Sequence, residues 1–299
     1  MAHTKRTMKP ATRRNIAGYM FILPGLLGVL IFCLFPMIYS FIMGFTNWNM
    51  KSAPSFVGID NFASMANDPI VWKSVQVTLY YTVLAVPLTN IVALCMALLL
   101  NTKVKGMSYF RTVFYIPSIV PVVAASAIWM FLFNPYTGMF NSLLMQLGLP
   151  GQMWIYSPKQ VIPCMAVMSA WMSGGTAIIY LASLQGVPTH LYEAIEVDGG
   201  TAWHKLTKVT LPMISPVVFY NIVMSTISSL QSFTQGYIMT GGGPNNASLF
   251  YVLLLYNRSF KSSAMGMACA MAWVLFIVVG AITALNFALS RKWVYYGGA

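Results

Sequence analysis

The chain has 299 residues, of which 58% are hydrophobic and 7% are charged, and it carries a formal net charge of +12 with a mean hydropathy of +0.70. Several apolar runs exceed the roughly 20 residues that a helix needs to cross a bilayer, which predicts an integral membrane protein and excludes a soluble core. The 4 cysteines lie inside apolar runs and the 3 histidines are scattered over separate polar segments, so neither a disulfide framework nor a metal centre is expected.

Six stretches are predicted to cross the membrane, all as helices, because a helix satisfies its own backbone hydrogen bonds in lipid. They are residues 16–45, 74–100, 112–133, 161–184, 211–232 and 262–289. The apolar run of the first stretch is too long for a signal peptide, so we expect an uncleaved helix, kinked at Pro24 and Pro36. The apolar run 247–256 is too short to cross and is expected to lie at the outer interface or to re-enter.

The polar segments differ in basic charge, and this difference predicts the orientation. Cytoplasmic segments of membrane proteins are enriched in Lys and Arg. With the N-terminus inside, the inner segments hold 12 of the 17 basic residues, namely Lys5, Arg6, Lys9, Arg13, Arg14, Lys103, Lys105, Arg111, Lys205, Lys208, Arg291 and Lys292. The net positive charge is therefore a topology signal and not a nucleic-acid-binding surface.

The six predicted spans contain no Asp, Glu, Lys, Arg or His. Charged groups inside a membrane are retained for ion and proton relays, so their absence argues against a proton-coupled carrier. The sequence also lacks a Gly-x-x-x-x-Gly-Lys-Ser/Thr loop and is not expected to bind ATP in that manner. Any energy for transport must therefore come from another subunit.

The polar segment 185–212 holds 3 of the chain's 5 acidic residues. Thr189 is predicted to cap a short helix, with Glu193 and Glu196 near the positive end of its dipole. Asp198 and two glycines then break this helix. A solvated loop with incidental acidic residues explains the composition equally well.

A second short helix follows the break, according to the same pattern. Thr201 can cap it, and it runs toward Leu211 and Pro212, where the fifth span begins. Glycine tolerates the positive φ that a sharp helix break demands, so Gly199 is the expected pivot. The segment 185–212 is thus predicted to be a helix-turn-helix knuckle at the membrane surface.

This knuckle resembles the Glu-Ala-Ala…Gly…Ile-x-Leu-Pro signature of permease subunits of bacterial ATP-binding-cassette (ABC) importers. The matching residues are Glu193-Ala194-Ile195, Gly199 and Val209-Thr210-Leu211-Pro212, with Ile195 and Val209 in place of the usual alanine and isoleucine. Tyr19 to Trp48, Phe56 to Phe62 and Met239 to Pro244 resemble the carbohydrate-uptake branch of the maltose, lactose and glycerol-phosphate type. Within that branch the chain is most similar to the first of two paired permeases.

The resemblance implies an all-α membrane protein with six transmembrane helices, a single permease domain over residues 1–299 and both termini in the cytoplasm. The knuckle would be a coupling helix held in the cleft of an ATPase subunit. The implied coupling residues are Glu193, Ala194, Ile195, Asp198, Gly199, Leu211 and Pro212.

The resemblance also implies the partners and the cellular location. The partners are a second permease, two ATP-binding-cassette ATPase subunits and an extracytoplasmic solute-binding protein, in a bacterial cytoplasmic (inner) membrane. ATP and Mg would be bound by the partner subunits, with no cofactor bound by this chain and no enzymatic activity of its own.

Two groups of residues are candidates for a substrate path. Span five carries a polar stripe at three- and four-residue spacing, formed by Asn221, Ser225, Ser228, Ser229 and Ser232. Span four places Trp171 near Gly175, which pairs a flat aromatic surface with a residue that permits close approach. Sugar sites combine such features, although Ser and Gly also mediate ordinary helix packing in lipid. Uncharged spans favour a neutral polyhydroxyl solute.

An outer turn formed by Thr240, Gly241, Gly242, Gly243 and Pro244 is a candidate contact for the solute-binding protein, or a simple connector. Three other functions remain open. They are an importer permease for a solute other than a sugar, an autonomous secondary transporter, and a membrane scaffold without a translocation path.

Overall fold

A computed structural model describes residues 10–102 and 104–295, which are almost entirely helical and contain no strand beyond an isolated bridge between Thr46 and Phe56. Lys5, Arg6, Lys9 and Lys103, which contribute to the predicted charge asymmetry, lie outside the described residues. The chain divides into two compact units. Unit 1 comprises Met1–Met65 and Arg258–Trp273, and unit 2 comprises Ala66–Asn257 and Val274–Ala299.

The described α-helices are α1 (Pro10–Gly28), α2 (Phe35–Met43), α3 (Asp60–Asn67), α4 (Pro69–Leu100), α5 (Met107–Ile119), α6 (Val122–Leu132), α7 (Met139–Gln146), α8 (Val161–Trp171), α9 (Gly174–Gln185), α10 (Thr189–Val197), α11 (Ala202–His204), α12 (Leu211–Leu230), α13 (Thr234–Met239), α14 (Tyr251–Tyr256) and α15 (Met265–Ser290). Three π-helical segments lie at Val29–Leu34, Lys205–Thr210 and Asn257–Lys261, and a 3₁₀ turn lies at Trp154–Tyr156.

Four described helical stretches are long and apolar enough to cross a membrane. They are Gly18–Met43, Pro69–Leu100, Ala202–Leu230 and Met265–Ser290. Two bent helix pairs, α5 with α6 and α8 with α9, bring the number of candidate spans to 6 if each pair counts as one. This all-helical architecture agrees with the fold class predicted from the sequence.

The predicted third and fourth spans each contain a break that was not predicted. α5 and α6 meet at 97°, because Val120 precedes Pro121 and takes an extended conformation (ψ 127°). α8 and α9 are bent by 48°. At the start of α9, a Cβ on Gly174 would lie 2.5 Å from the carbonyl oxygen of Phe114, so the missing side chain lets α9 approach α5 closely.

The first span changes its hydrogen-bond pattern between its two prolines. Pro24 lies inside α1, Pro36 lies in the first turn of α2, and the π segment Val29–Leu34 separates them. The amide of Phe35 donates to the carbonyl of Leu30, five residues back. Because a proline lacks an amide donor, a local π segment is a common way to continue the helix past it.

Unit 1 is held together by contacts of buried and half-buried polar groups. The side-chain amide of Asn61 donates to the carbonyls of Gly44 and Thr46, both at 2.8 Å. The indole N–H of Trp273 donates to the hydroxyl of Ser40 at 3.1 Å. These bonds tie α3, α2 and the first half of α15 to one another.

α4 is the central helix of unit 2 and packs against α8, α9, α12 and α14. It begins before the predicted residue 74, because Asp68 caps it by accepting a hydrogen bond from the amide of Ile70 at 2.8 Å and Pro69 occupies its first position. Ala93 and Ala97 are fully buried, so small side chains let the neighbouring helices approach closely.

The short apolar run 247–256 packs against other helices of unit 2, and its location at the outer interface or in a re-entrant segment stays a prediction. It ends in α14, whose six residues are too few to cross a membrane, as predicted. Phe250 is fully buried with its ring 5.1 Å from that of Tyr81, and the amide of Tyr251 donates to the hydroxyl of Thr78 at 2.9 Å. The run therefore packs against the first half of α4.

Candidate functional site

The first helix of the predicted knuckle, α10, begins one residue earlier than predicted. Pro188 is extended (ψ 132°) and takes the cap position, so Thr189 is already helical and does not cap. Glu193 lies in the middle of α10 and Glu196 in its last turn, so the predicted placement of both acids near the positive end of the dipole is wrong. Their position must be explained by contacts and not by the helix dipole.

The helix break after α10 is a complete Schellman motif. Gly199 has φ +72°, as its predicted role as pivot requires, and its amide donates to the carbonyl of Glu196 at 3.0 Å. The amide of Gly200 donates to the carbonyl of Ile195 at 2.8 Å. A Cβ on Gly200 would lie 2.4 Å from a methyl carbon of Ile195, so the motif demands both glycines.

The second helix of the knuckle continues directly into span five. Thr201 caps it as predicted, in a capping box with His204. Ala202–Leu230 then runs as one helical stretch, in which the amide of Leu211 donates to the carbonyl of Leu206 in π geometry. Pro212 sits in the first turn of α12, where its missing amide is tolerated. A displacement of the knuckle would therefore be transmitted straight to α12.

The inner face of α10 is anchored to the core of unit 2. Leu191 and Ile195 pack against the cluster that contains Val209 and Ile214. The hydroxyls of Tyr192 and Thr210 are 3.1 Å apart, and Glu196 forms an ion pair with Lys205. Of the predicted coupling residues, Ile195 thus faces inward and holds the knuckle in place.

The outer face of α10 is exposed and has no polar partner of its own. Glu193 and Ala194 are exposed, as are Val197 (88%) and Trp203 (68%). Among the described residues, the Glu193 carboxylate makes neither a hydrogen bond nor an ion pair. A cavity of about 360 Å³ lies at the helix break and is lined by residues that include Asp198, Gly199 and Lys208. An acidic group, apolar side chains and a polar notch are thus presented together.

A second cavity, of about 400 Å³, lies among the apolar helices of unit 2. All five residues of the predicted polar stripe line it: Asn221, Ser225, Ser228, Ser229 and Ser232. Sequence reasoning missed a further set of polar lining residues on four other helices and in the middle of α12. They are Tyr81, Thr89, Ser169, Thr176, Tyr220 and Gln235. None of the lining residues is charged.

Two side-chain amides on this cavity have unused donors. Asn221 is 4% exposed and Gln235 is 8% exposed, and the side-chain nitrogen of each has no hydrogen-bond partner among the described residues. Buried donors of this kind cost free energy unless a ligand or water accepts from them. The cavity is therefore suited to a solute that offers oxygen acceptors.

Two serines of the stripe serve the packing of the helices. The hydroxyl of Ser225 accepts from the side-chain amide of Asn90 at 2.9 Å and donates to the backbone carbonyl of Asn221 at 2.6 Å. Tyr180 in turn donates to the carbonyl oxygen of the Asn90 side chain at 2.8 Å. Ser229 donates to the hydroxyl of Thr82 at 3.1 Å. These bonds join α4, α9 and α12 behind the cavity surface.

Replacing Asn90 with leucine is expected to destabilise the protein by about 1–3 kcal/mol, because the hydroxyls of Tyr180 and Ser225 both lose a buried partner. The measurement is thermal unfolding in detergent. Asn286→Leu is the matched control, since the Asn286 amide donates only to a carbonyl of its own helix, that of Ile282. Equal destabilisation by the two variants would contradict the assigned network.

The other predicted pair does not line this cavity. Trp171 packs edge-on against Trp129, with ring centroids 5.8 Å apart, and Gly175 lies beside Ser118. Their neighbours Met172 and Thr176 line the cavity instead. The bend between α8 and α9 changes which side chains face inward, and the sequence pattern gave no sign of its angle.

The predicted outer turn is well ordered by hydrogen bonds. Thr240 and Ser248 have hydroxyls 2.6 Å apart, and the amide of Gly243 donates to the carbonyl of Thr240 at 3.0 Å. Gly241 and Gly242 have positive φ angles of 60° and 98°, and the Gly243–Pro244 bond is cis. Gly241 is exposed at the tip of this turn, while Gly242 is buried.

Comparison with known proteins places this geometry in a family. The sequence profile described as "Binding-protein-dependent transport system inner membrane component" matches residues 89–292. The chain belongs to this family. The permease is 37% identical over 300 residues to the probable ABC transporter permease protein YesP of Bacillus subtilis (strain 168), an alignment that covers 99% of this chain and 97% of that relative.

A second relative and a solved structure agree with this membership. The permease is 32% identical over 284 residues to the arabinooligosaccharides transport system permease protein AraP of Bacillus subtilis (strain 168), covering 93% of this chain and 89% of that protein. A chain in the crystal structure of a bacterial alginate ABC transporter, in complex with an alginate pentasaccharide-bound periplasmic protein, superposes with a TM-score of 0.83 at 23% identity. That match covers 94% of this permease and 96% of that chain, and it shows the shared fold. The permease is thus a membrane-embedded transport subunit and not an enzyme.

Proposed function

We propose that this permease forms half of the translocation path of an ATP-driven carbohydrate importer in the bacterial cytoplasmic membrane. The observation that carries the proposal is the uncharged, hydrogen-bonding cavity of about 400 Å³ among apolar helices, of which α12 continues directly from an exposed knuckle. One continuous helix thus joins a solute site to a docking surface. This arrangement suits a subunit that receives its energy from another protein.

The lining of the cavity supports a carbohydrate as the solute. It combines hydroxyl and amide groups with aliphatic side chains and the ring of Tyr220, without any charge. Sites of this composition fix a polyhydroxyl ligand through a few placed hydrogen bonds. The relative AraP is a permease of an arabinooligosaccharides transport system, which supports the same solute class.

The knuckle supports coupling to a separate ATPase. Glu193 is exposed without an internal partner, and Gly199 holds the bend that presents it. In the proposed assembly, two ATPase subunits bind ATP and Mg, and each receives a coupling helix from one of two permeases. This chain binds no nucleotide in the proposal. It is the first permease of the pair and has both termini in the cytoplasm.

The remaining partners would contact other exposed surfaces. The helical stretch Gly18–Met43 has a mean hydropathy of 2.5, and its most apolar part contains no buried residue. Such a surface suits contact with lipid or with an apolar partner helix. The ordered turn Thr240–Pro244 is the proposed contact for the extracytoplasmic solute-binding protein. A fixed turn loses little conformational entropy when it binds.

The experiment is purification of the tagged permease with its co-expressed neighbouring gene products, followed by reconstitution in liposomes. We expect a second permease and an ATPase to co-purify. We also expect ATP-dependent uptake of a sugar that requires the solute-binding protein. Solute transport by the permease alone would contradict the proposal and would identify a secondary transporter.

Replacing Asn221 with leucine is expected to raise the KM for the solute roughly ten-fold, because a hydrogen bond from a buried amide to the solute is lost. Uptake and ATPase activity are measured over a range of concentrations of the loaded solute-binding protein, and solute affinity is measured on the detergent-solubilised assembly. Asn286→Leu is the control, since Asn286 does not line the cavity. Unchanged solute affinity in Asn221→Leu at equal membrane abundance would exclude this residue from the path.

A further inference from the structure

A third cavity of unit 2, separate from the polar one, has aromatic rings as half of its lining residues. Its volume is about 280 Å³, near the lower end of roughly 300–1,000 Å³ that is typical of ligand pockets. The rings that line it are Trp129, Phe133, Phe140 and Trp154. Their centroids lie 5.1 to 5.9 Å apart in contacting pairs, and no lining residue is charged. The cavity takes a slender apolar group.

Hydrogen bonds between polar groups hold the wall of this cavity together. The indole N–H of Trp154 donates to the side chain of Asn141 at 2.8 Å. Gln160 accepts from the amide of Trp154 at 2.8 Å and donates to the side chain of Gln152 at 2.6 Å. Of these polar groups, Gln160 keeps one amide hydrogen on the cavity, which is too little for a polyhydroxyl ligand, so such a ligand would bury unsatisfied hydroxyls here.

One donor group on the cavity has no partner at all among the described residues. Trp129 is 6% exposed, its indole lines the cavity, and its nitrogen has no hydrogen-bond partner among the described residues. A buried N–H of this kind is normally paired. A ligand that fits this cavity should therefore combine an apolar body with an oxygen acceptor at Trp129.

The position of the opening indicates the source of that occupant. Val167 is the one exposed residue of the lining, and it lies on the apolar helix α8. An exposed valine on an apolar helix of a membrane protein is suited to contact with hydrocarbon. Trp154 and Tyr156 mark the nearby boundary, since aromatic rings with polar tips prefer the level of the lipid headgroups and esters.

We propose that this cavity binds one acyl segment of a membrane phospholipid, with the indole N–H of Trp129 donating to the ester carbonyl. The site is distinct from the solute cavity, and it does not depend on which solute is carried. The bound chain fills the space between α6, α7 and α8 and thereby supports the bent α5–α6 pair.

The test is native mass spectrometry of the permease, with its co-purifying subunits, in detergent. Two probes are added, a diacyl phosphatidylglycerol and its dialkyl ether analogue, which lacks the carbonyl. We expect one tightly held diacyl lipid and roughly five-fold weaker binding of the ether lipid, as the loss of one hydrogen bond predicts. This comparison needs no variant, so it decides the proposal even if substitutions prevent folding.

Two variants test the hydrogen bond of Trp129 and the open volume of the cavity separately. Trp129→Phe should lower the affinity for the diacyl lipid to that for the ether lipid. The affinity for the ether lipid should not change. Val167→Phe should reduce both, while Ile178→Phe, an equally exposed apolar site away from the cavity, should change neither. Equal affinity for both lipids, displacement by a soluble trisaccharide, or lipid bound only when partner subunits are absent would each overturn the proposal.

Discussion

Replacing Gly199 with proline is expected to abolish sugar uptake while the permease still accumulates in the membrane. Proline fixes φ near −65°, whereas Gly199 has φ +72°, and proline also removes the amide that donates to Glu196. A penalty of about 3 kcal/mol or more reduces the population of the native bend roughly a hundred-fold. The assembled importer should keep basal ATPase activity and lose its stimulation by the loaded solute-binding protein.

The chain offers a matched control for this substitution at the end of α7. Gly148 also has φ +72°, its amide donates to Met145 at 3.0 Å, and the amide of Leu149 donates to Leu144 at 2.9 Å. Gly148→Pro thus imposes the same backbone damage on the same motif, away from the knuckle. We expect it to retain most of the coupling. Equal loss of uptake in both variants would show general damage and would contradict a specific role for Gly199.

Replacing Glu193 with lysine is expected to lower uptake at least roughly ten-fold without loss of the folded membrane part. Glu193 is exposed and has no partner among the described residues, so its removal breaks no internal contact. In a partner cleft, however, a reversed charge faces the groups that held the carboxylate, at a cost of several kcal/mol. Uptake and ATPase stimulation are measured in the same reconstituted assembly, and fluorescence-detected size exclusion reports whether the subunits remain together.

Glu196→Lys is the control for Glu193→Lys, because it makes the same charge change three residues away on the same helix. Glu196 is paired with Lys205 at an exposed site, and such surface pairs contribute about 0–1 kcal/mol. We expect uptake within two-fold of wild type for this control. Wild-type uptake in Glu193→Lys, at equal membrane abundance, would refute the coupling role.

The knuckle shows how far local sequence rules reach. The capping of Thr201 and the positive φ of Gly199 were predicted correctly, because capping and helix termination depend on a few consecutive residues. The cap at Thr189 was wrong, since the extended Pro188 takes the cap position and the helix begins one residue earlier. The inward position of Ile195 could not be predicted, because it depends on Val209 and Ile214, which are distant in sequence.

The polar cavity shows how far helical periodicity can predict the residues that line a site. Helical periodicity identified its five residues on α12, since three- and four-residue spacing places side chains on one face. Gln235 lies beyond the end of α12, on α13, where that periodicity no longer applies. Trp171 was predicted to accompany the stripe, but the 48° bend between α8 and α9 directs it to the aromatic cluster.

The sequence by itself determined that this chain is a helical membrane protein, where its apolar spans lie, and that an acidic, glycine-broken segment stands between two of them. The hydrocarbon of the bilayer offers no hydrogen-bond partners. An apolar stretch long enough to cross it must therefore pair its own backbone N–H and C=O groups, as a helix does. Only the tertiary structure decided where α5–α6 and α8–α9 break and which polar side chains share a cavity. It also separated the serines that bind neighbouring helices from the amides of Asn221 and Gln235, which keep free donors. Those outcomes depend on packing between distant residues, and within lipid no difference in hydrophobicity between the helices specifies that packing in advance.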